Sequence, residues 1–184
     1  MDPRIQRTRD AVLPAALSVL SNRGFANFTM EGVAEVSGVS KSTVYRHWPT
    51  KLSLLRDALE ELNRQPDVGV EGGPARQQVE RLLEHLRAAL SDSVVGACIP
   101  ALIEAAEHHH EVAEFLHRYS DRRRSRLTGV IRKGIEEGEF PTHIDPELAA
   151  LALSGPIFYH RLVTTNPFPA VDVPRLVQQI LGAK

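Results

Sequence analysis

The chain has 184 residues, of which 42% are hydrophobic and 24% charged, as in an ordinary globular protein. Its formal net charge of −1 does not by itself indicate a nucleic-acid partner, and its single cysteine excludes an internal disulfide or a multi-cysteine zinc site. The charge is unevenly placed, since residues 1–56 carry eight Lys or Arg against four Asp or Glu, and the remainder carries fourteen against nineteen. A basic head on an acidic body indicates contact with DNA at one end only.

No segment of the sequence predicts export or membrane insertion. The first ten residues, MDPRIQRTRD, are charged, unlike the start of a signal peptide. No run reaches the roughly 20 apolar residues that a bilayer-spanning helix needs. We therefore expect a cytoplasmic protein.

Apolar residues at helical spacing predict a first helix over residues 5–23, ended by Gly24 in a left-handed cap. Its predicted buried stripe consists of Ile5, Val12, Leu13, Ala16, Leu17 and Leu20. Phe25 and Phe28 would complete a small core. The start of this helix is basic, and its arginines either face solvent or touch phosphate: Arg4, Arg7 and Arg9.

Residues 29–51, TMEGVAEVSGVSKSTVYRHWPTK, predict two short helices joined by a tight turn. Thr29 and Ser40 can cap these helices because a hydroxyl oxygen accepts a bond from an unpaired backbone amide. Gly38 supplies the turn residue, and Pro49 ends the second helix.

The second of these helices has one apolar side and one polar side. Val44 and Trp48, four residues apart, would face the core. The outward side carries a set without any acidic residue: Lys41, Ser42, Tyr45 and Arg46. A helix that lies in a DNA major groove requires this pattern, whereas the solvated face of a small helical hairpin normally mixes charges.

The whole motif resembles the DNA-binding signature of TetR-like transcriptional regulators. The resemblance is carried by Thr29, Val33, Ala34, Gly38, Val39, Ser40, Thr43, Val44, Tyr45, His47, Trp48 and Lys51. Three positions depart from the family pattern, since Trp48 replaces a more usual Phe, Ser42 a smaller residue, and Leu52 a frequent acidic residue. The resemblance implies operator contacts from Thr29, Ser40, Lys41, Ser42, Thr43, Tyr45, Arg46, His47 and Lys51.

Residue type divides these expected contacts into two groups. The side chains nearest the groove floor would reach base edges: Lys41, Ser42 and Thr43. Phosphates would be held by Thr29, Tyr45, His47 and Lys51. The helix N-terminus behind Thr50 would assist Lys51.

The rest of the chain predicts further helices. Thr50 caps a fourth helix, and a Gly- and Pro-rich loop, residues 66–74, marks a boundary between domains at 1–65 and 75–184. Four longer helices follow at about residues 76–92, 95–107, 111–138 and 146–165. Pro100 would kink the second of them or stand in its first turn, and Asp145 with Pro146 begins the last. A short final helix is capped by Asp172.

No segment alternates with period two, so we expect an all-α protein of about nine helices. The predicted architecture is an N-terminal three-helix helix-turn-helix head joined to a helical ligand-binding and dimerisation domain. The C-terminal half is similar to the regulatory domain of the same family, most closely at residues 155–162.

By that resemblance, two long helices of each protomer form a four-helix bundle in a homodimer, although burial within one chain is the alternative. The expected interface comprises Leu148, Leu151, Ile157, Tyr159, Leu162, Leu176 and Ile180. A small-molecule effector of unknown identity would bind among the fifth to eighth helices. Its expected surroundings are Leu86, Cys98, Leu102, Phe115, Tyr119, Arg123 and Phe158.

The remaining polar clusters predict no metal, cofactor or enzyme chemistry. Three consecutive histidines at residues 108–110 point in different directions on a helix, so they cannot share one ion. Cys98 is interpreted as a small buried residue without a redox partner. No nucleophile elbow, phosphate loop or dinucleotide fingerprint is present. The arginines of residues 121–126, DRRRSR, either face solvent or turn inward to an anionic ligand.

These patterns together predict a one-component transcriptional regulator that binds double-stranded DNA as a homodimer. They favour a repressor over an activator. One rival is a regulator controlled by a protein partner without a small ligand. The other is a helical ligand-binding or enzymatic protein whose basic head is incidental.

Overall fold

The computed structural model describes residues 3–63 and 72–182, and within them the chain is helical and has no strand. The helices are α1 Pro3–Arg23, α2 Met30–Ser37, α3 Lys41–His47, α4 Lys51–Asn63, α5 Ala75–Asp92, α6 Val94–Ala106, α7 His110–Glu136, α8 Pro146–Val163 and α9 Val173–Leu181, with a 3₁₀ turn at Ala170–Asp172. The all-α prediction is confirmed. Within these residues no single helix is long and apolar enough to cross a bilayer.

The helices form two compact units. The first contains α1 to α4, α6 and α7 through Arg118, and the second contains α5, α7 from Tyr119, α8, the 3₁₀ turn and α9. Most of the predicted linker at residues 66–74 lies outside the described residues, so the boundary placed there stays a prediction. The side chains of Leu62 and Val95, which the sequence placed in the fourth and sixth helices, also lie outside them.

The core of the first unit forms around α1, which packs against α2, α4 and α6. Its buried residues are Val12, Leu13, Ala15, Ala16, Leu17, Val19 and Leu20. Ala15 and Val19 join the predicted stripe because three helices cover α1, which widens its buried side. The prediction for Ile5 was wrong: it lies in the first turn of α1 and is 39% exposed. Phe25 and Phe28 are buried as predicted.

Cys98 belongs to this core. Its side chain is buried, and its Sγ–H donates to the backbone carbonyl of Leu17, 3.5 Å away. Burial raises the pKa of the Cys98 thiol to about 11, so the thiol stays protonated at neutral pH. The interpretation of Cys98 as a small buried residue is confirmed. Pro100 lies inside α6 on an exposed position.

In the second unit, α5 packs against α8 and α9, and α8 packs against α9. The carboxylate of Glu139 caps α5, accepting bonds from the backbone amides of Ala75 at 2.9 Å and Arg76 at 3.4 Å. This carboxylate substitutes for a cap that Pro74, just before the helix, cannot supply. Gly134 lies against the ring of Phe140, where a Cβ would collide with the ring carbons. The packing of Phe140 against the last turns of α7 therefore requires glycine at residue 134.

The two predicted caps of α8 and α9 had different outcomes. The Asp145 Oδ1 accepts from the amides of Glu147 at 2.8 Å and Leu148 at 3.0 Å, which confirms the cap of α8. The prediction for Asp172 was wrong, since its side chain makes no cap bond and instead accepts from Arg175 Nη1 at 3.0 Å. The 3₁₀ turn leads directly into α9, so Asp172 already has near-helical dihedrals, φ −92° and ψ −7°.

Candidate nucleic-acid interface

Local hydrogen bonds define both ends of the predicted motif. The Thr29 Oγ1 accepts from the Gly32 amide at 3.1 Å, and the Ser40 Oγ accepts from the Thr43 amide at 3.3 Å. Gly38 ends α2 with a φ of 69°, a left-handed conformation that favours glycine. The predicted caps and turn residue are therefore confirmed.

Two apolar residues anchor α3, and one carboxylate ties it to its neighbours. Val44 and Trp48 are 0% and 2% exposed. The Trp48 Nε1–H donates to Asp57 Oδ2 on α4 at 3.0 Å, and Arg9 Nη1 on α1 donates to the same oxygen at 2.7 Å. Asp57 thus joins three helices. Arg9 therefore pairs with Asp57. This role differs from both interpretations of the basic start of α1, which were exposure to solvent and contact with phosphate.

The environment of Asp57 favours its ionised form. Burial by itself would raise the pKa of this carboxyl, but hydrogen bonds from Arg9 and Trp48 and the charges of Arg9 and Arg56 outweigh burial and lower the pKa. A carboxyl with a lowered folded-state pKa stabilises the fold above its unfolded pKa of about 4. That contribution is lost as pH falls through the folded-state pKa.

We expect Asp57→Asn to lower the free energy of unfolding at pH 7 and to make it less dependent on pH below about 4. The difference in unfolding free energy between wild type and Asp57→Asn should shrink as pH falls through that range. Urea unfolding at a series of pH values measures it. Asp10→Asn, which changes an exposed carboxylate bonded to Gln6 on the same helix, is the control. A difference that stays constant from pH 7 to pH 3 would contradict the role given to Asp57.

The predicted DNA-contact residues differ in exposure. Lys41, Ser42, Tyr45 and Arg46 are exposed on α3, as predicted, and Thr29 and Ser40 are exposed at the helix starts. Half-buried positions are held by Thr43, His47 and Lys51. The hydroxyls of Ser40, Ser42 and Thr43 form a small network, with Ser40 Oγ 2.9 Å from Thr43 Oγ1 and 3.1 Å from Ser42 Oγ.

Lys51 begins α4 in a restrained position. Thr50 and Ser53 cap this helix reciprocally, with the Ser53 amide 3.1 Å from Thr50 Oγ1 and the Thr50 amide 3.2 Å from Ser53 Oγ. The Lys51 Nζ lies 4.2 Å from the centroid of the Phe25 ring, a cation–π contact. The Phe25 ring is itself 4.7 Å from the His109 ring, centroid to centroid.

Sequence reasoning missed one acidic residue at this surface. The Tyr45 hydroxyl donates to Glu31 Oε1, 3.0 Å away, although α3 itself carries no acid. The backbone amide of Glu31 and the Tyr45 hydroxyl lower the pKa of Glu31 and outweigh the effect of burial, and the charge of Lys41 lowers it a little further. The same hydrogen bond, burial and the negative charge raise the pKa of Tyr45. The sequence contains one indication of this contact, because a glutamate lies in the first turn of α2, within the predicted motif.

The histidines of residues 108–110 diverge. His109 lies against the Phe25 ring, whereas His110 Nε2 lies 3.4 Å from Glu114 Oε1 on the same helix. Within residues 3–63 and 72–182, no three His, Cys, Asp or Glu side chains are grouped to hold a metal ion.

The residues predicted to surround an effector fall into two groups by burial. Cys98, Leu102 and Phe115 are buried, and the half-buried ones are Leu86, Tyr119, Arg123 and Phe158. The Arg123 guanidinium carbon lies 4.5 Å from the centroid of the Tyr119 ring. Burial raises the pKa of Tyr119 although Arg123 opposes the shift. Of the arginines in residues 121–126, Arg124 pairs with Asp121 and approaches Glu147 to 4.0 Å.

The predicted interface residues also divide by exposure. Leu148, Leu151, Tyr159 and Leu162 of α8 are 67%, 54%, 58% and 42% exposed. Leu176 and Ile180 of α9 are half-buried. Ile157 is only 2% exposed, so its assignment to an outer interface was wrong. It lies on the side of α8 that also buries Ala149, Ala150 and Leu153.

Two short capped helices, a left-handed turn residue and an exposed polar second helix define a helix-turn-helix DNA-binding protein. Comparison with known families agrees: residues 12–58 match "Bacterial regulatory proteins, tetR family", and residues 70–180 match "Tetracyclin repressor-like, C-terminal domain". The chain belongs to the tetR family, and it is a DNA-binding transcriptional regulator.

Individual relatives and solved structures are similar over almost the whole chain. The HTH-type transcriptional regulator YdeS of Bacillus subtilis is 31% identical over 88% of this chain and 82% of its own. The DNA-binding transcriptional repressor TetR of Mycobacteroides abscessus is 27% identical over 93% of this chain and 90% of its own. A TetR transcription regulator from Haloarcula marismortui has a TM-score of 0.81 at 21% identity, covering 96% of this chain and 97% of its own. MexZ, a repressor of Pseudomonas aeruginosa, has a TM-score of 0.79 at 25% identity, covering 97% of this chain and 96% of its own.

Proposed function

We propose that this regulator is a cytoplasmic, homodimeric repressor that binds a palindromic operator and is released by a small-molecule effector. The exposed face of α3 is the main support for DNA binding in this proposal. Lys41 and Arg46 are exposed on it, and the buried Trp48 anchors the helix. This face fits a major groove because its cations and hydroxyls match phosphate and base acceptors. The repressor assignment is supported by the M. abscessus relative, which is named a repressor.

Exposure refines the division between base and phosphate contacts. Lys41 and Ser42 are exposed, whereas Thr43 is half-buried and bonded to Ser40, so Lys41 and Ser42 are the stronger candidates for base edges. Thr29 uses an oxygen lone pair to cap α2, which leaves its hydroxyl proton for a phosphate. Lys51 stands at the capped N-terminus of α4, where backbone amides and an ammonium together suit an anion. Arg46 and His47 would complete the phosphate contacts.

We expect Lys51→Ala to weaken binding to all DNA sequences by a similar factor, because a phosphate contact carries no sequence information. The slope of log affinity against log salt should fall by about one unit. Lys41→Ala should instead change which bases are preferred. Lys133→Ala removes an equal charge from the second unit, where Lys133 pairs with Glu137, and should leave both slope and preference unchanged. An altered base preference in Lys51→Ala at an unchanged salt slope would contradict the phosphate assignment.

The dimer is supported by an apolar stripe on α8. Leu148, Leu151, Tyr159 and Leu162 recur at helical spacing on its exposed side. Gly155 lies among them, and a Cβ at Gly155 would meet no atom of another described element within 4 Å. Exposed apolar residues arranged in one stripe need cover, and a glycine lets a second helix approach closely. A dimer would set two copies of α3 about 34–36 Å apart, one turn of the duplex, to read successive major grooves.

Sequencing DNA fragments selected by the purified protein tests the proposed function. We expect an enriched palindrome with half-sites about 10 base pairs apart, bound with strong salt dependence. A single unpaired half-site would contradict the dimer, and absence of any enriched sequence would contradict operator binding. The effector is tested separately by screening small molecules for a shift in melting temperature and then for release of the selected DNA. The residues to alter in that test are Leu86, Tyr119, Arg123 and Phe158.

A further inference from the structure

The Glu31–Tyr45 hydrogen bond places a carboxylate beside the recognition helix. Glu31 is the second residue of α2, it is exposed, and its Oε1 accepts the Tyr45 hydroxyl proton at 3.0 Å. The positive charge of Lys41, at the start of α3, also favours the ionised form of this carboxylate by lowering its pKa. The surface predicted to read bases was assigned to α3 alone, and the hydrogen bond places a carboxylate of α2 beside it.

A phenol has one proton to donate. Because Tyr45 donates that proton to Glu31, its oxygen presents only lone pairs to a third group. A phosphate oxygen is also an acceptor, and its negative charge would repel the carboxylate. The pair as it stands does not suit the phosphate contact that was predicted for Tyr45. The lowered pKa of Glu31 and the raised pKa of Tyr45 keep one ionised and the other protonated at neutral pH.

Two neighbouring acceptors require a donor, and the major groove offers the exocyclic amines of cytosine and adenine. Adenine presents the acceptor N7 beside its amine, so one acceptor of the pair would face another acceptor. Cytosine presents no acceptor of its own beside N4, and carboxylates are its usual partners. The positive charge of Lys41 suits the O6 and N7 acceptors of the guanine paired with that cytosine.

We propose that Glu31 and Tyr45 act as a joint acceptor that reads the N4 amine of a cytosine in each operator half-site, with Lys41 on the paired guanine. Glu31 is then a specificity-determining residue, and Tyr45 contacts a base and not a phosphate. This inference rests on the proposed function, because it takes α3 to lie in the major groove.

Selection and sequencing of DNA with the full-length protein and three variants tests the inference. Glu31→Gln makes the carboxylate an amide, which can both donate and accept, so the selected base at one position per half-site should shift from cytosine toward adenine. Equilibrium binding should show the preference for cytosine there reduced about tenfold or more. Tyr45→Phe should relax the same position. The matched control is Glu35→Gln, which removes an equal charge from α2 at a residue whose carboxylate lies 3.9 Å from Arg23.

The outcomes separate the inference from the function on which it rests. If Glu31→Gln tightened binding to every sequence by one factor and kept the wild-type preference, Glu31 would be a repulsive charge near phosphate and the inference would be overturned. The same holds if Glu35→Gln changed the preference as much as Glu31→Gln. Failure of the wild type to enrich any sequence would overturn the proposed function together with the inference. Melting temperatures close to wild type confirm that the variants are folded.

Discussion

Trp48→Ala is expected to unfold the DNA-binding unit and to abolish operator binding as a consequence. Trp48, the residue that ends α3, is 2% exposed, and its indole Nε1–H donates to Asp57. Truncating a buried aromatic side chain to alanine costs about 3–5 kcal/mol. Because whole domains are stable by only about 5–15 kcal/mol, such a loss removes much of the margin of a small unit. Urea unfolding followed by circular dichroism, with DNA binding measured on the same samples, gives the result.

Trp48→Phe separates the packing of Trp48 from its hydrogen bond. Phenylalanine keeps an aromatic ring in the core but cannot donate to Asp57, which retains the bond from Arg9. We expect a loss of about 1–3 kcal/mol, as for one hydrogen bond to a charged group, and retained DNA binding at low temperature. A Trp48→Ala protein with the wild-type free energy of unfolding but no DNA binding would contradict the structural role of Trp48 and assign it a direct contact.

Leu151→Glu is expected to convert the proposed dimer to monomers and to lower operator affinity by more than any single loss of a DNA contact. Leu151 is 54% exposed in the single chain, in the middle of the apolar stripe of α8. A carboxylate buried there without a partner would cost several kcal/mol, which raises the dimer dissociation constant by about 100-fold or more. Since two heads must act together on the operator, affinity should fall with dimerisation. Sedimentation at micromolar concentration and an operator shift assay measure both.

Two other substitutions make the dimer test specific. Ile103→Glu introduces the same charge at an exposed apolar residue of the first unit and should leave the protein dimeric. Ile157→Asp, by contrast, should destabilise the fold of the second unit, because Ile157 is buried within its own chain. A wild-type protein that sediments as a monomer and still binds its operator tightly would contradict the proposed dimer. The exposed stripe of α8 would then need another partner.

Features encoded within about four residues were predicted from the sequence alone. The Thr29 and Ser40 caps, the left-handed Gly38 and the Asp145–Pro146 start of α8 each depend on one side chain and the adjacent backbone. The helical spacing of Val44 and Trp48 also identified the buried side of α3, because side chains four residues apart lie on the same face. The polar face and its basic charge follow from that assignment.

Features that join distant residues were decided by tertiary structure. Tyr45 meets Glu31 fourteen residues away, and Arg9 meets Asp57 forty-eight residues away, because packing brings their helices together. No local pattern specifies these pairs. The predictions for Ile5 and Asp172 were wrong for the same reason. Neighbouring elements decide whether the first turn of α1 is buried, and they decide where α9 begins.

The contrast is sharpest on α8. Its sequence is apolar nearly all round, so spacing predicts a helix but cannot tell which apolar residues its own chain covers. In the second unit, α5 and α9 pack on α8, where Ile157 is buried while Leu148 and Leu151 stay exposed. The sequence by itself therefore determined the helices, their caps and the family-like motif, because these depend on local backbone bonds and periodicity. Only the tertiary structure decided which side of each helix is left for a partner, because that depends on how the helices pack.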